Sequence, residues 1–177
     1  MSGRLRGKRV AILVEEGFDA REVADPMAAL REEGAETVLV GASAGAYYRD
    51  RNGGPTVTAD LAASAARVHD FDAIVIPGGF APDRMRMRHA MVDLAAAAMA
   101  ANKPVAAICR GAQVLISADA IRGRTLTCWP SIAVDVKNAG GLYVDRPVVR
   151  DGNLITSRKA DDLAAFTTVL IDALLAF

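Results

Sequence analysis

The chain has little of what marks a scaffold, a basic groove or a membrane segment. It carries two cysteines in 177 residues, too few for the disulfide framework of a small secreted protein. Neither charge is in excess: 21 basic side chains stand against 21 acidic ones, which argues against a nucleic-acid binder held by phosphate contacts. No apolar run approaches the roughly 18 residues of a membrane span. The first one, Val10 to Val14, is too short for a signal-peptide core and is followed directly by Glu15 and Glu16. Histidine and cysteine do not fall at metal-ligand spacing, and no G-x-G-x-x-G run occurs, so neither a metal nor a dinucleotide is expected. What is plentiful is apolar surface, 52% of the chain, enough for one sizeable core. The length suits one domain over residues 1–177. These features predict a soluble, cytoplasmic protein without a cofactor.

Short apolar runs alternate with segments of helical period. Residues 8–14 form a continuous β-branched-rich run, the pattern of a strand buried on both faces. Glu22, Val23, Pro26, Met27 and Leu30 then recur at helical spacing up to a stop at Gly34. Further strands are expected over 36–40, 71–76 and 104–108, with helices over 61–68, 85–101, 111–120 and 161–175. Residues 41–55 show no period, although Val57 suits a short strand. Beyond Gly123, strand-like pieces at 125–127, 142–144, 148–149 and 154–156 are separated by turns, Asp151-Gly152 reading as a hairpin. This alternation predicts an α/β protein, a three-layer sandwich whose mostly parallel sheet is covered by helices on both faces.

In such sheets, sites lie at the carboxyl ends of strands. Ala107-Ile108-Cys109-Arg110-Gly111 runs from a strand straight into a helix, the arrangement of a nucleophile elbow. Nearby N–H groups and the helix dipole would lower the thiol pKa, although a lone cysteine is also often an inert core residue. Pro77-Gly78-Gly79 ends another strand and could aim N–H groups at an oxyanion, or merely form a turn. Glu22, with Asp19 just before its helix, could relay protons to a thiol or simply be a solvated helix residue, the commoner fate of such a carboxylate.

Several segments, in order, resemble the PfpI family of the class I glutamine amidotransferase-like superfamily: GFD-x-x-E-x-x-x-P (17–26), FDAIVIPGGFAPD (71–83), KPVAAICRGAQVLISA (103–118), IRGRTLT (121–127) and DGNLITSRKADDLAAF (151–166). The resemblance covers about 8–175 and implies a flavodoxin-like fold. That family includes intracellular cysteine peptidase-like proteins, general stress proteins and the Parkinsonism-associated deglycase. It implies Cys109 as nucleophile, Glu22 as the carboxylate touching its sulfur, and Gly78, Gly79 and the Arg110 N–H on the oxyanion side. Asp83 matches an acidic position that reaches a neighbouring subunit's site, which implies a homodimer or higher homo-oligomer. Ser157 and Arg158 match a structural or interface pair.

The chain departs from the family at two places. Arg110 stands where peptidase-like members carry histidine after the cysteine, and Trp129 stands where deglycase-like members carry theirs. His69 and His89 fall at neither place, so a Cys–His–acid triad cannot form and classical proteolysis is not expected. Arg110 could turn towards Cys109 or outward. The implied activity is that of a stress-related, cysteine-dependent hydrolase or lyase on small reactive carbonyl species, glyoxalase- or deglycase-like. An isocyanide-hydratase-like enzyme and a non-catalytic redox sensor stand beside it. In the sensor, Cys128 would be either a resolving thiol or an inert core residue.

Overall fold

A computed structural model describes residues 3–176. Its strands are β1 (Arg9–Leu13), β2 (Glu36–Gly41), β3 (Tyr47–Arg49), β4 (Thr56–Thr58), β5 (Leu61–Ala62), β6 (Ala73–Ile76), β7 (Val105–Ile108), β8 (Thr125–Leu126), β9 (Leu142–Tyr143), β10 (Val148–Asp151) and β11 (Leu154–Ser157). The helices are α1 (Ala20–Glu32), α2 (Ala81–Met85), α3 (His89–Ala100), α4 (Ala112–Ser117), α5 (Ala133–Asn138) and α6 (Leu163–Leu175).

Seven strands form the main sheet in the order β10-β11-β7-β6-β1-β2-β5. All neighbours run parallel except β10, which pairs antiparallel with β11 through a turn at Gly152 and Asn153, one residue beyond the expected Asp151-Gly152. The central strands are continuous apolar runs because helices cover both of their faces; every residue of β6 and β7 is buried. The chain steps from β1 to β2 in one direction and from β6 to β7 in the other. Right-handed crossovers therefore put α1 and α3 on opposite faces. Helix α1 packs against α6, while α4 packs against α2 and α3. The direction of travel reverses between β1 and β6, and a crevice opens there at the carboxyl ends of the strands.

Four details differ from the sequence expectation. Residues 61–68 are not helical: Leu61 and Ala62 extend to pair with Val40 and Gly41 at the sheet edge, and two 3-10 turns follow. The helix expected over 85–101 is broken. Arg88 adopts an extended conformation (φ −96°, ψ 101°) before α3, and its guanidinium reaches the buried Glu15 carboxylate at 3.3 Å. The aperiodic segment 41–55 contributes β3, which pairs antiparallel with β4. Helix α5 went unanticipated, because six residues give too little period to read.

Candidate active site

Three chain segments meet at the crevice. The first follows β7, where Cys109 sits at φ 61°, a left-handed conformation that non-glycine residues rarely adopt. The chain turns through a 3-10 turn, Cys109–Gly111, into α4. The turn packs so closely on the end of β6 that a methyl group at Gly111 would collide with the Ile76 carbonyl. The second segment is Pro77-Gly78-Gly79 beyond β6. The third is the start of α1, where the Asp19 carboxylate caps the helix by accepting from the N–H groups of Arg21 and Glu22. Neighbouring loops fix this start: the Gly17 N–H bonds the Arg49 carbonyl at 3.0 Å, and the Phe80 N–H bonds the Gly17 carbonyl at 2.8 Å.

These segments bring Glu22 and Cys109 together. The Gly78 N–H donates to Glu22 Oε1 at 2.9 Å. A Cβ on Gly78 would lie 2.7 Å from both Glu22 Oε1 and Cys109 Cβ, and 3.0 Å from the Arg110 nitrogen. Gly78 therefore leaves room for the carboxyl and the sulfur to share one space. Its N–H is committed to Glu22 and is not free for an oxyanion, unlike the expectation from the sequence. The main-chain N–H groups of Gly79 and Arg110 lie on the sulfur's side of the turn and favour the Cys109 thiolate.

Glu22 is 1% exposed. Burial and the nearby Asp19 push its carboxyl up to about 7, against smaller opposing pulls from the Gly78 N–H and the charges of Arg51 and Arg110. Burial and the Glu22 charge push the Cys109 thiol up to about 11. The main-chain donors and Arg110 only partly offset this. The sequence predicted a depressed thiol pKa; burial outweighs the donors at the turn. The pair therefore loses its first proton near neutral pH and its second well above it.

Arg110 is half-buried and lies across the mouth of the site. Its guanidinium carbon sits 5.4 Å from the ring centres of both Phe80 and Trp129, and Nη1 reaches the Gly79 carbonyl at 3.4 Å. The Trp129 main-chain N–H bonds the Cys109 carbonyl at 3.0 Å, which ties that segment to the turn. A cleft of about 250 Å³ opens above the thiol, lined by Asp19, Glu22, Arg51, Cys109, Arg110, Trp129 and the stretch 159–161. Sequence reasoning did not single out Arg51 or Lys159. Arg51 lies in the aperiodic segment, and Lys159 differs in no way from a solvated lysine until the chain is folded.

The remaining candidates lie elsewhere. Asp83 is exposed on α2 and lines a second, open groove with Phe80, Arg84, Met87, Arg110 and Gln113. His69 and His89 are exposed, and neither lines the cleft. Ser157 is buried, and Arg158 bonds the buried Asp162 through Nε and Nη2, each at 3.0 Å. Cys128 is fully buried, its thiol pushed up to about 12 chiefly by that burial. Among the described residues, no helix is long and apolar enough to cross a membrane.

Comparison with known proteins adds the lineage. The model of the DJ-1/PfpI family matches residues 8–173. The chain is 40% identical over 160 residues to protein/nucleic acid deglycase 2 of Escherichia coli, covering 90% of this chain and 93% of that one. It is also 40% identical over 161 residues to general stress protein 18 of Bacillus subtilis, covering 90% and 94%. Among solved structures, a two-domain protein of Anabaena variabilis with DJ-1/ThiJ/PfpI-like and ferritin-like domains superposes with a TM-score of 0.93 at 42% identity. That match covers 94% of this chain and 48% of the longer one. DJ-1beta of Drosophila melanogaster superposes with a TM-score of 0.86 at 26% identity, covering 94% and 90%.

Proposed function

The chain belongs to the DJ-1/PfpI family, and on that premise we propose that it is a cytoplasmic, stress-related, cysteine-dependent hydrolase or lyase acting on small reactive carbonyl compounds. Cys109 is the nucleophile and Glu22 its acid–base partner. The observation that carries this reading is the buried Glu22 carboxyl, pushed up to about 7 beside the thiol. A proton-transfer group works best when its pKa lies near the working pH, a place histidine usually fills. No histidine lines this cleft, and Glu22 takes over the task. Two relatives bear the name deglycase, at 40% and 42% identity.

With the thiol held up to about 11, the nucleophile is not a standing thiolate. The Glu22 carboxylate removes the Cys109 proton as sulfur bonds the carbonyl carbon. The π electrons move to oxygen, which the N–H groups of Gly79 and Arg110 stabilise and Glu22 then protonates, giving a hemithioacetal. With a 2-oxoaldehyde, Glu22 next takes the proton from the sulfur-bearing carbon. It returns a proton to the adjacent carbon by way of an enediol, leaving a thioester. Water cleaves the thioester, releasing a 2-hydroxy acid and restoring the thiol. The sum is R–CO–CHO + H₂O → R–CHOH–COOH, with no external oxidant or reductant. On this reading Asp83, exposed on α2, faces a second copy of the chain in a homo-oligomer.

Lactate formation from methylglyoxal tests the reading. The protein is expected to turn over many times, Cys109→Ser to be inactive, and Glu22→Gln to lose roughly 10²–10⁴-fold in kcat, the usual contribution of a general acid–base. Absence of turnover alongside stoichiometric consumption of peroxide would replace the enzyme with a redox sensor. Turnover by Cys109→Ser would overturn the assignment of the nucleophile.

A further inference from the structure

The charges lining the cleft are not equivalent. Asp19 pairs with Arg51 at 3.7 Å, and Asp161 pairs with Lys159 at 3.9 Å and with Arg21 at 4.0 Å. Arg110 has no carboxylate partner within 4.0 Å among the described residues. Among the described residues the guanidinium makes one hydrogen bond, the 3.4 Å contact from Nη1 to the Gly79 carbonyl, which leaves its other N–H groups without an acceptor there. Phe80 and Trp129 hold the plane at 5.4 Å on each ring, so the fork is oriented without being neutralised. The guanidinium also acts on the reactive pair, its charge pulling both Glu22 and Cys109 down.

A fixed, planar, unpaired guanidinium beside a nucleophile recognises an anion, and most specifically a carboxylate, which accepts two parallel N–H bonds. We propose that the Arg110 side chain is the specificity determinant of the cleft and selects carbonyl substrates that carry a carboxylate group. The inference rests on the cysteine chemistry proposed above and names its substrate class. It assigns a binding role to the residue that stands in place of the family's histidine. The substrate is a 2-oxoaldehyde or related carbonyl whose far end is anionic. The carbonyl carbon lies at the Cys109 sulfur, and the carboxylate lies in the fork between Phe80 and Trp129.

A pair of alkylating agents that differ only in charge tests this whether or not the protein turns over any carbonyl. Iodoacetate carries the carboxylate and iodoacetamide does not, and both react at the thiol. The experiment uses the full chain with Cys128→Ala, so that Cys109 is the only thiol, and compares the two second-order rates at one pH and ionic strength. Removing the Arg110 charge also changes the thiol's ionisation, but that change affects both reagents equally and cancels in the ratio. The ratio of iodoacetate to iodoacetamide rates is expected to fall about 10-fold in Arg110→Gln, the effect of losing one charge-assisted two-pronged contact. In Arg110→Lys, which keeps the charge but not the fork, it should fall less. It should also shrink with added salt in the parent protein and in Arg110→Lys, and change least in Arg110→Gln. A ratio that stays within twofold in both variants, with circular dichroism confirming their fold, overturns the proposal. Methylglyoxal turnover measured on the parent protein judges the cysteine chemistry separately.

Discussion

Glu22 makes the protein's stability depend on pH in a way that isolates one carboxyl. In the unfolded chain this group titrates near 4.5, whereas burial holds it up to about 7 in the fold. Between these values the folded protein keeps a proton that the unfolded chain has released. Stability therefore falls as pH rises through this window. At about 1.36 kcal/mol per pKa unit, the loss is about 3 kcal/mol by pH 8. Glu22→Gln keeps an oxygen to accept the Gly78 N–H and never ionises. Relative to the parent, it should be unchanged near pH 4 and progressively more stable up to about pH 8. For a chain of this size, that gain corresponds to roughly 6–12 °C in Tm. Urea titrations of both proteins at half-unit steps from pH 4 to 8 measure the difference directly. Cys109 and Cys128 titrate from the unfolded side near 9.0, outside the window, and the exposed histidines are common to both proteins. A difference curve that stays flat from pH 4 to 8 would refute a carboxyl held near 7.

Two further substitutions probe the surroundings. Gly78→Ala places a methyl 2.7 Å from both Glu22 Oε1 and Cys109 Cβ. It should reduce iodoacetamide reactivity and methylglyoxal turnover at least 10-fold, while overpacking costs about 1–3 kcal/mol by urea midpoint. Arg158→Ala strips the buried Asp162 of two 3.0 Å bonds. It should lower the urea midpoint, because the buried Asp162 charge loses its partner, and adding Asp162→Asn should restore part of the loss, because the stranded charge is then gone.

The readability of the sequence followed the range of the forces involved. Strands β1, β6 and β7 were legible because a strand buried on both faces must be a continuous apolar run. The turn at Cys109 was legible because a cysteine followed two residues later by glycine has to resolve the strand-to-helix junction within a few atoms. Periodicity put Glu22 at the start of a helix, but only the family resemblance put its carboxylate beside the sulfur. The break before α3 was hidden: residues 85–101 are locally good helix formers, and the interruption occurs where Arg88 reaches Glu15, 73 positions away. The edge strand at Leu61 was lost in the same way, since its pairing with Val40 overrides the helical preference of an alanine-rich stretch. The direction of Arg110 depended on Phe80 and Trp129, which only the folded chain brings to it. The sign of the Cys109 shift was misjudged because a sequence displays donors at a turn but not the depth at which the sulfur is buried.

The order β7-β6-β1 also makes the site a gauge of sheet register. Cys109 and Gly78 follow the ends of two adjacent strands and Glu22 stands on the helix after the third, so pairings such as Ile76 with Ala107 and Val10 with Ala73 set their common register. A slip of one residue between β6 and β7 would displace the sulfur by about 3.3 Å and turn alternate side chains to the opposite face. None of the three segments can hold the constellation alone, so it assembles only when distant parts of the chain have paired. The chemical signature of Cys109 during refolding would accordingly serve as a clock for closure of the central sheet, recording when the strands lock into alignment rather than when the helices form.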